Sequence, residues 1–208
     1  MKQAILERPV PQGPRIAPIT VEQYHRMIKT GILKDGDPIE LIDGMLVYKD
    51  RSTRGEGEMT VGKRHRKIVT RFMDLARMVR ERGATLFLQS PISIEPDHEP
   101  EPDACIVRGT PDDYDDHHPG PTDVFCVIEV ADSSLAWDRT DKLRLYAQAG
   151  IPQYVLVNLI DLQLEVYEQP VAGEGRYAQS IVLKAGQALP LLVGAGKRLE
   201  IPAENVLP

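Results

Sequence analysis

Between Lys63 and Arg82 the apolar residues Ile68, Phe72, Leu75 and Val79, with Met78 beside them, recur at helical spacing, while Lys and Arg fill most other positions. This spacing gathers the apolar side chains on one face and predicts a long basic amphipathic helix that ends at Gly83. Its basic face either is solvated or meets phosphates. A shorter helix is predicted over 21–30, because Thr20 and Gln23 have capping-box spacing and Gly31 follows. A third is predicted in "WDRTDKLRLYAQAG", residues 137–150, where Leu145, Tyr146 and Ala149 share a face with Lys142. Asp138 lies near its start, where negative charge complements the helix dipole, and Gly150 lies just past its end.

The other apolar runs have the length and residue types of strands. In "PIELIDGMLVYK" the pair Asp43-Gly44 separates two such runs, which predicts a hairpin with strands at about 38–42 and 45–49. "ATLFLQSPISI", "ACIVR" and "DVFCVIEV" are rich in β-formers, and the last is apolar on both faces, like a central strand. "PQYVLVNL" and "LQLEVYEQ" predict a second hairpin, and "YAQSIVLKAG" and "KRLEIPAENVL" add edge strands or a closing segment. The order α, ββ, α, βββ, α, ββ lacks regular βα alternation and predicts an α+β domain, a mixed central sheet flanked by helices. The polar, Gly-rich stretch 50–64 and the acidic, Pro-rich stretch 109–122 are expected to be loops.

Length and composition add a frame. A chain of 208 residues can bury one substantial core, so a single domain over 19–208 is expected behind a Pro-rich tail at 1–18. No apolar run approaches the roughly 18 residues of a membrane span, and the first residues do not have the form of a secretory signal, so no membrane partner and a cytoplasmic location are expected. Cys105 and Cys126 sit in predicted core strands and are expected to be buried free thiols. The formal charge of −6 excludes the global attraction to nucleic acid of a strongly basic domain. Any polyanion must then be held by local charge or by a metal. The sequence contains no GxGxxG after a strand, no P-loop and no CxxC pair, which removes dinucleotide, nucleotide and zinc-finger readings.

Candidate chemistry concentrates in "EPEPDACIVR", residues 99–108. Pro96, Pro100 and Pro102 exclude a helix, and in an extended chain Glu99, Glu101 and Asp103 project to one face, with Asp97 just upstream. Like charges so placed need solvent, cationic partners or a bound cation. Asp103 begins one predicted strand and Glu129 lies near the end of another. If those strands are antiparallel neighbours the two carboxylates converge, and such hard oxygens suit Mg²⁺ or Mn²⁺. An inward Lys142 beside them is either a structural ion pair or a catalytic group. Glu101 competes with Asp103 as a ligand.

In their order, "IELIDGMLV", "EPDACIV", "VIEVADSS" and "DRTDKLRLYAQAGIPQYVLVN" resemble the Uma2-like restriction-endonuclease-type family, long known as a domain of unknown function within the PD-(D/E)XK nuclease superfamily, over roughly residues 19–200. The resemblance implies a restriction-endonuclease-like core, Asp103 and Glu129 as metal ligands, and Glu40 as a further acidic residue completing the metal shell. The alternative reading of Glu40 is an exposed hairpin residue. The superfamily's Lys two residues after the Glu is replaced by Ala131, and the resemblance assigns its role to Lys142. It also matches His65 to a His near the start of the second helix, and Ser133, Asp138 and Tyr146 to supporting or capping positions. The implied activity is Mg²⁺- or Mn²⁺-dependent hydrolysis of phosphodiester bonds, with DNA as substrate and a homodimer as the assembly. The rivals are an inactive nuclease-fold module that binds DNA or a partner, accessory to mobile elements, and a purely structural carboxylate–Lys network.

Overall fold

The structure, a computed structural model, describes residues 17–34, 36–49 and 63–208. The expected tail up to residue 16 and most of the expected loop at 50–64 lie outside the described residues. Helix α1 (Val21–Lys29) opens with the anticipated capping box: Gln23 N donates to Thr20 Oγ1 at 3.2 Å, and Thr20 N donates to Gln23 Oε1 at 2.9 Å. Strands β1 (Ile39–Ile42) and β2 (Met45–Tyr48) form the hairpin around Asp43-Gly44, both at positive φ. A side chain at Gly44 would also overlap Pro18, so this turn requires glycine twice over.

Helix α2 (Lys63–Arg80) leads into a six-stranded sheet of β3 (Ala84–Leu88), β4 (Ala104–Arg108), β5 (Val124–Ala131), β6 (Gln153–Asn158), β7 (Gln163–Val171) and β8 (Arg176–Leu183), in that spatial order. The β5–β6 pair is parallel and the other pairs are antiparallel, so the sheet is mixed. The parallel step needs a crossover, and the chain between β5 and β6 supplies it as a helical run. That run differs from the single helix expected: α3 (Leu135–Trp137) passes through a π-helical turn (Asp138–Lys142) into α4 (Leu143–Gln148).

Alternation along the strands builds two apolar layers. One face sends Ile106, Cys126, Ile128, Val155 and Val157 against Ile68, Phe72, Leu75 and Val79 of α2. Met78 is 40% exposed, off that stripe. The other face sends Cys105, Val127, Tyr154 and Leu156 against Leu145, Tyr146 and Ala147 of α4. Both cysteines are buried free thiols on opposite faces, and burial pushes the Cys105 thiol up to about 12. A two-stranded sheet of β9 (Ala188–Gly194) and β10 (Lys197–Pro202) closes the first layer. The sequence reading did not anticipate β9, whose Pro190 argues against a strand; as one member of a two-stranded pair it tolerates that proline. The 109–122 stretch forms two 3₁₀ turns and is mostly exposed.

Candidate active site

Strands β4 and β5 run antiparallel with Ala104 opposite Ile128, so the residue before β4 lies beside the end of β5. Asp103 and Glu129 therefore meet, and they interlock through each other's backbone. Asp103 N donates to Glu129 Oε2 at 3.3 Å, and Val130 N donates to Asp103 Oδ2 at 2.8 Å. The other oxygen of Asp103 has no protein partner among the described residues.

Helix α4 and the π turn cover Glu129. Tyr146 Oη donates to Glu129 Oε1 at 2.8 Å, and Lys142 Nζ lies 3.4 Å from the same oxygen. Lys142 also donates to Glu40 Oε2 at 2.7 Å, and that oxygen accepts from Glu101 N at 3.1 Å. Glu40 is thus buried at 5% exposure on β1, and the exposed-hairpin reading does not hold. An isolated bridge between Leu41 and Glu99 docks the hairpin against the extended segment and carries Glu40 inward. Glu101, anticipated as a competing ligand, pairs through its carboxylate with Lys49.

His65, in the first turns of α2, lies with Nε2 3.0 Å from Asp103 Oδ2, while among the described residues its Nδ1 is buried without a partner. Asp138 is buried and accepts from Ser134 Oγ at 2.6 Å, and its backbone carbonyl accepts from Tyr154 Oη at 3.1 Å. Sequence reasoning named Ser133, which is exposed. It missed Ser134, whose four-residue spacing to Asp138 is a helical-turn contact that could have identified it. It missed Tyr154 as a hydrogen-bonding residue as well.

Burial dominates the electrostatics. It raises Glu129 to about 8, with Asp103, Asp138 and Glu40 adding repulsion and Lys142 opposing. It raises Asp138 to about 6 against the Ser134 hydrogen bond and Lys142. Burial would lower Lys142, but Glu40 and Glu129 outweigh it and hold the ammonium protonated. Burial likewise opposes the protonation of His65, and the bond and charge of Asp103 prevail, leaving it raised. Four carboxylates, Glu40, Asp103, Glu129 and Asp138, thus face the Lys142 ammonium and an imidazole in a space where ionised groups cannot rely on water. Surplus negative charge on oxygen donors is what a hard divalent cation requires, and the residue set fits one.

The family described as Uma2, "Putative restriction endonuclease", matches residues 21–203. Comparison with curated proteins found no match. Among solved structures, the crystal structure of a putative nuclease belonging to DUF820 from Anabaena variabilis ATCC 29413 is similar in fold, with a TM-score of 0.62 at 16% identity, over 91% of this chain and 97% of that one. The structural likeness supports the fold, and the family match supports a nuclease function. Among the described residues no helix is long and apolar enough to cross a membrane.

Proposed function

The chain belongs to the Uma2 restriction-endonuclease-type family, and on that premise we propose that it is a metal-dependent endonuclease that hydrolyses phosphodiester bonds of DNA. The observation that carries this reading is the interlock of Asp103 and Glu129 beside a protonated, buried Lys142. A Mg²⁺ or Mn²⁺ ion held by Asp103 and Glu129, with Glu40 completing its oxygen set, would supply an activated water and neutralise charge on the scissile phosphate.

The protein's own groups divide the remaining work. Reciprocal backbone bonds fix the two carboxylates, and His65 orients Asp103 from α2. Lys142 is a cation and therefore no base; its ammonium orients the attacking water and stabilises the negative charge that develops as the water oxygen bonds to phosphorus and the sugar oxygen departs. Glu40 and Tyr146 hold Lys142 and Glu129 in register. Arg66 and Lys67, exposed on α2 next to His65, supply local positive charge for a phosphate backbone despite the net charge of −6.

Calorimetric Mn²⁺ binding and nicking of supercoiled plasmid test this. The parent protein should bind Mn²⁺ and nick. Asp103→Asn and Glu129→Gln, which keep side-chain shape, should each lose both properties while retaining a cooperative melt. Lys142→Met should retain Mn²⁺ binding and cut about 10²–10³-fold more slowly, the range for removing one group that stabilises developing negative charge. A folded parent that binds Mn²⁺ and cuts no nucleic acid would overturn the catalytic reading in favour of a binding module.

A further inference from the structure

Glu99, the first carboxylate of the "EPEPD" run, takes no part in the site above. It is 3% exposed, and both its oxygens lie against His25 Nε2 of α1, at 2.8 and 2.7 Å. Ser93 Oγ donates to Oε2 at 3.2 Å. His118, from the acidic 109–122 stretch, brings its ring edge-on to that of His25 with centroids 5.9 Å apart. One ligating atom from each of His25, Glu99 and His118 lies within 4.8 Å of the others.

Backbone bonds place all three side chains. Val21 N donates to Pro96 O at 2.9 Å and ties α1 to the segment carrying Glu99. Glu99 N donates to Leu41 O at 2.7 Å, and Ser93 N donates to Pro119 O at 3.0 Å, which pins the chain next to His118. The fold thus brings the segments that carry the two exposed imidazoles to the buried carboxylate. A single histidine would satisfy one buried carboxylate; the second imidazole within reach is what a metal centre adds, and the Ser93 hydroxyl orients the carboxylate through Oε2. Two imidazoles and a carboxylate suit Zn²⁺, whereas Mg²⁺ prefers oxygen alone.

We propose that His25, Glu99 and His118 bind a Zn²⁺ ion, with solvent in the fourth position, and that the ion staples α1 and the acidic 109–122 stretch to the segment leading to Asp103. The ion would enter after a small rotation of His25, whose ring is partly solvent-facing and now occupies the hydrogen bond to Glu99. Ser93 would act as a positioning residue through the carboxylate.

The full chain carrying Glu129→Gln, which disables the proposed nuclease centre, is titrated with ZnCl₂ by calorimetry and with Co²⁺ by visible absorption. One ion per chain and a tetrahedral Co²⁺ spectrum are expected. His118→Ala and His25→Ala should each weaken Zn²⁺ binding by about tenfold or more, the scale of losses around metal centres. His117→Ala, one residue away and bonded to Asp116, should leave it unchanged. Zn²⁺ at about 100 times its Kd should raise the Tm by roughly 5 °C or more, and His118→Ala should abolish that rise. Absence of stoichiometric Zn²⁺ binding, or equal binding by the His118→Ala and parent chains, would overturn the proposal. Neither outcome touches the Mn²⁺ nicking assay, so failure here is separable from failure of the nuclease reading.

Discussion

Glu129 has more neighbours of its own sign than of the opposite one. Asp103, Asp138 and Glu40 repel it, Lys142 attracts it, and burial exceeds all of these, so its carboxyl is raised to about 8. Lys142 alone would have pulled it down; desolvation reverses the outcome. A carboxyl that titrates higher folded than unfolded binds more protons in the native state. Its contribution is fully present below the ordinary carboxylate range and is lost as pH rises towards 8, at up to about 1.4 kcal/mol per pH unit. Glu129→Gln keeps the bond from Tyr146 and cannot ionise. With metal chelated, its melting temperature should equal the parent's near pH 5 and exceed it at pH 8, by a margin that grows across that interval. Parallel melting curves for the two proteins between pH 5 and 8 would remove Glu129 from the buried cluster.

At the scale of elements, the π turn Asp138–Lys142 sets the site's geometry. Asp138 and Lys142, four residues apart at the two ends of the turn, both point inward, while Arg139 reaches past β6 to Glu165 of β7, in the same row of the sheet as Glu129. There Arg139 bonds both oxygens of Glu165, at 3.0 and 2.5 Å, and Asn158, Gln163 and Tyr167 bond the same carboxylate. Arg139 thus pegs the turn that carries Lys142. Arg139→Ala leaves Glu165 three other donors, so it should cost about 1–3 kcal/mol, read as a lowered denaturant midpoint, with Mn²⁺ affinity reduced as the turn loosens. A π turn has no sequence signature comparable to the Asp43-Gly44 hairpin or the Thr20–Gln23 cap, which is why a plain helix was expected. The convergence of Asp103 with Glu129 was legible because it needed only two adjacent antiparallel strands. Burial of Glu40 was not, since it depends on the Leu41–Glu99 bridge between segments far apart in sequence. Ser134 in place of Ser133 is likewise a matter of helical phase, which a shift of one residue at the helix start decides.

Across the whole molecule two buried polar networks oppose each other in pH. Burial alone would raise Glu165, but the hydrogen bonds from Arg139, Asn158, Gln163 and Tyr167 outweigh it and hold the carboxyl down at about 2. Its stability is present above the ordinary carboxylate range and is lost as pH falls towards 2. Glu129 and Asp138 act in reverse, losing stability as pH rises through about 6 and then about 8. The metal-free protein should therefore be most stable at about pH 4–5, below the usual range of about 5–8. A cation that binds ionised carboxylates reverses the alkaline limb, because its affinity rises as protons leave. Melting curves with chelator and with Mn²⁺ should coincide near pH 5 and separate towards pH 8. At 100 times the Kd the gap corresponds to about 2.7 kcal/mol, roughly 5–10 °C for a chain of this size. The separation should vanish in Glu129→Gln, which distinguishes this centre from any other cation site. If Mn²⁺ raises the melting temperature equally at pH 5 and pH 8, the ion is not held by carboxylates with raised pKa values, and the assignment of Asp103 and Glu129 as its ligands fails.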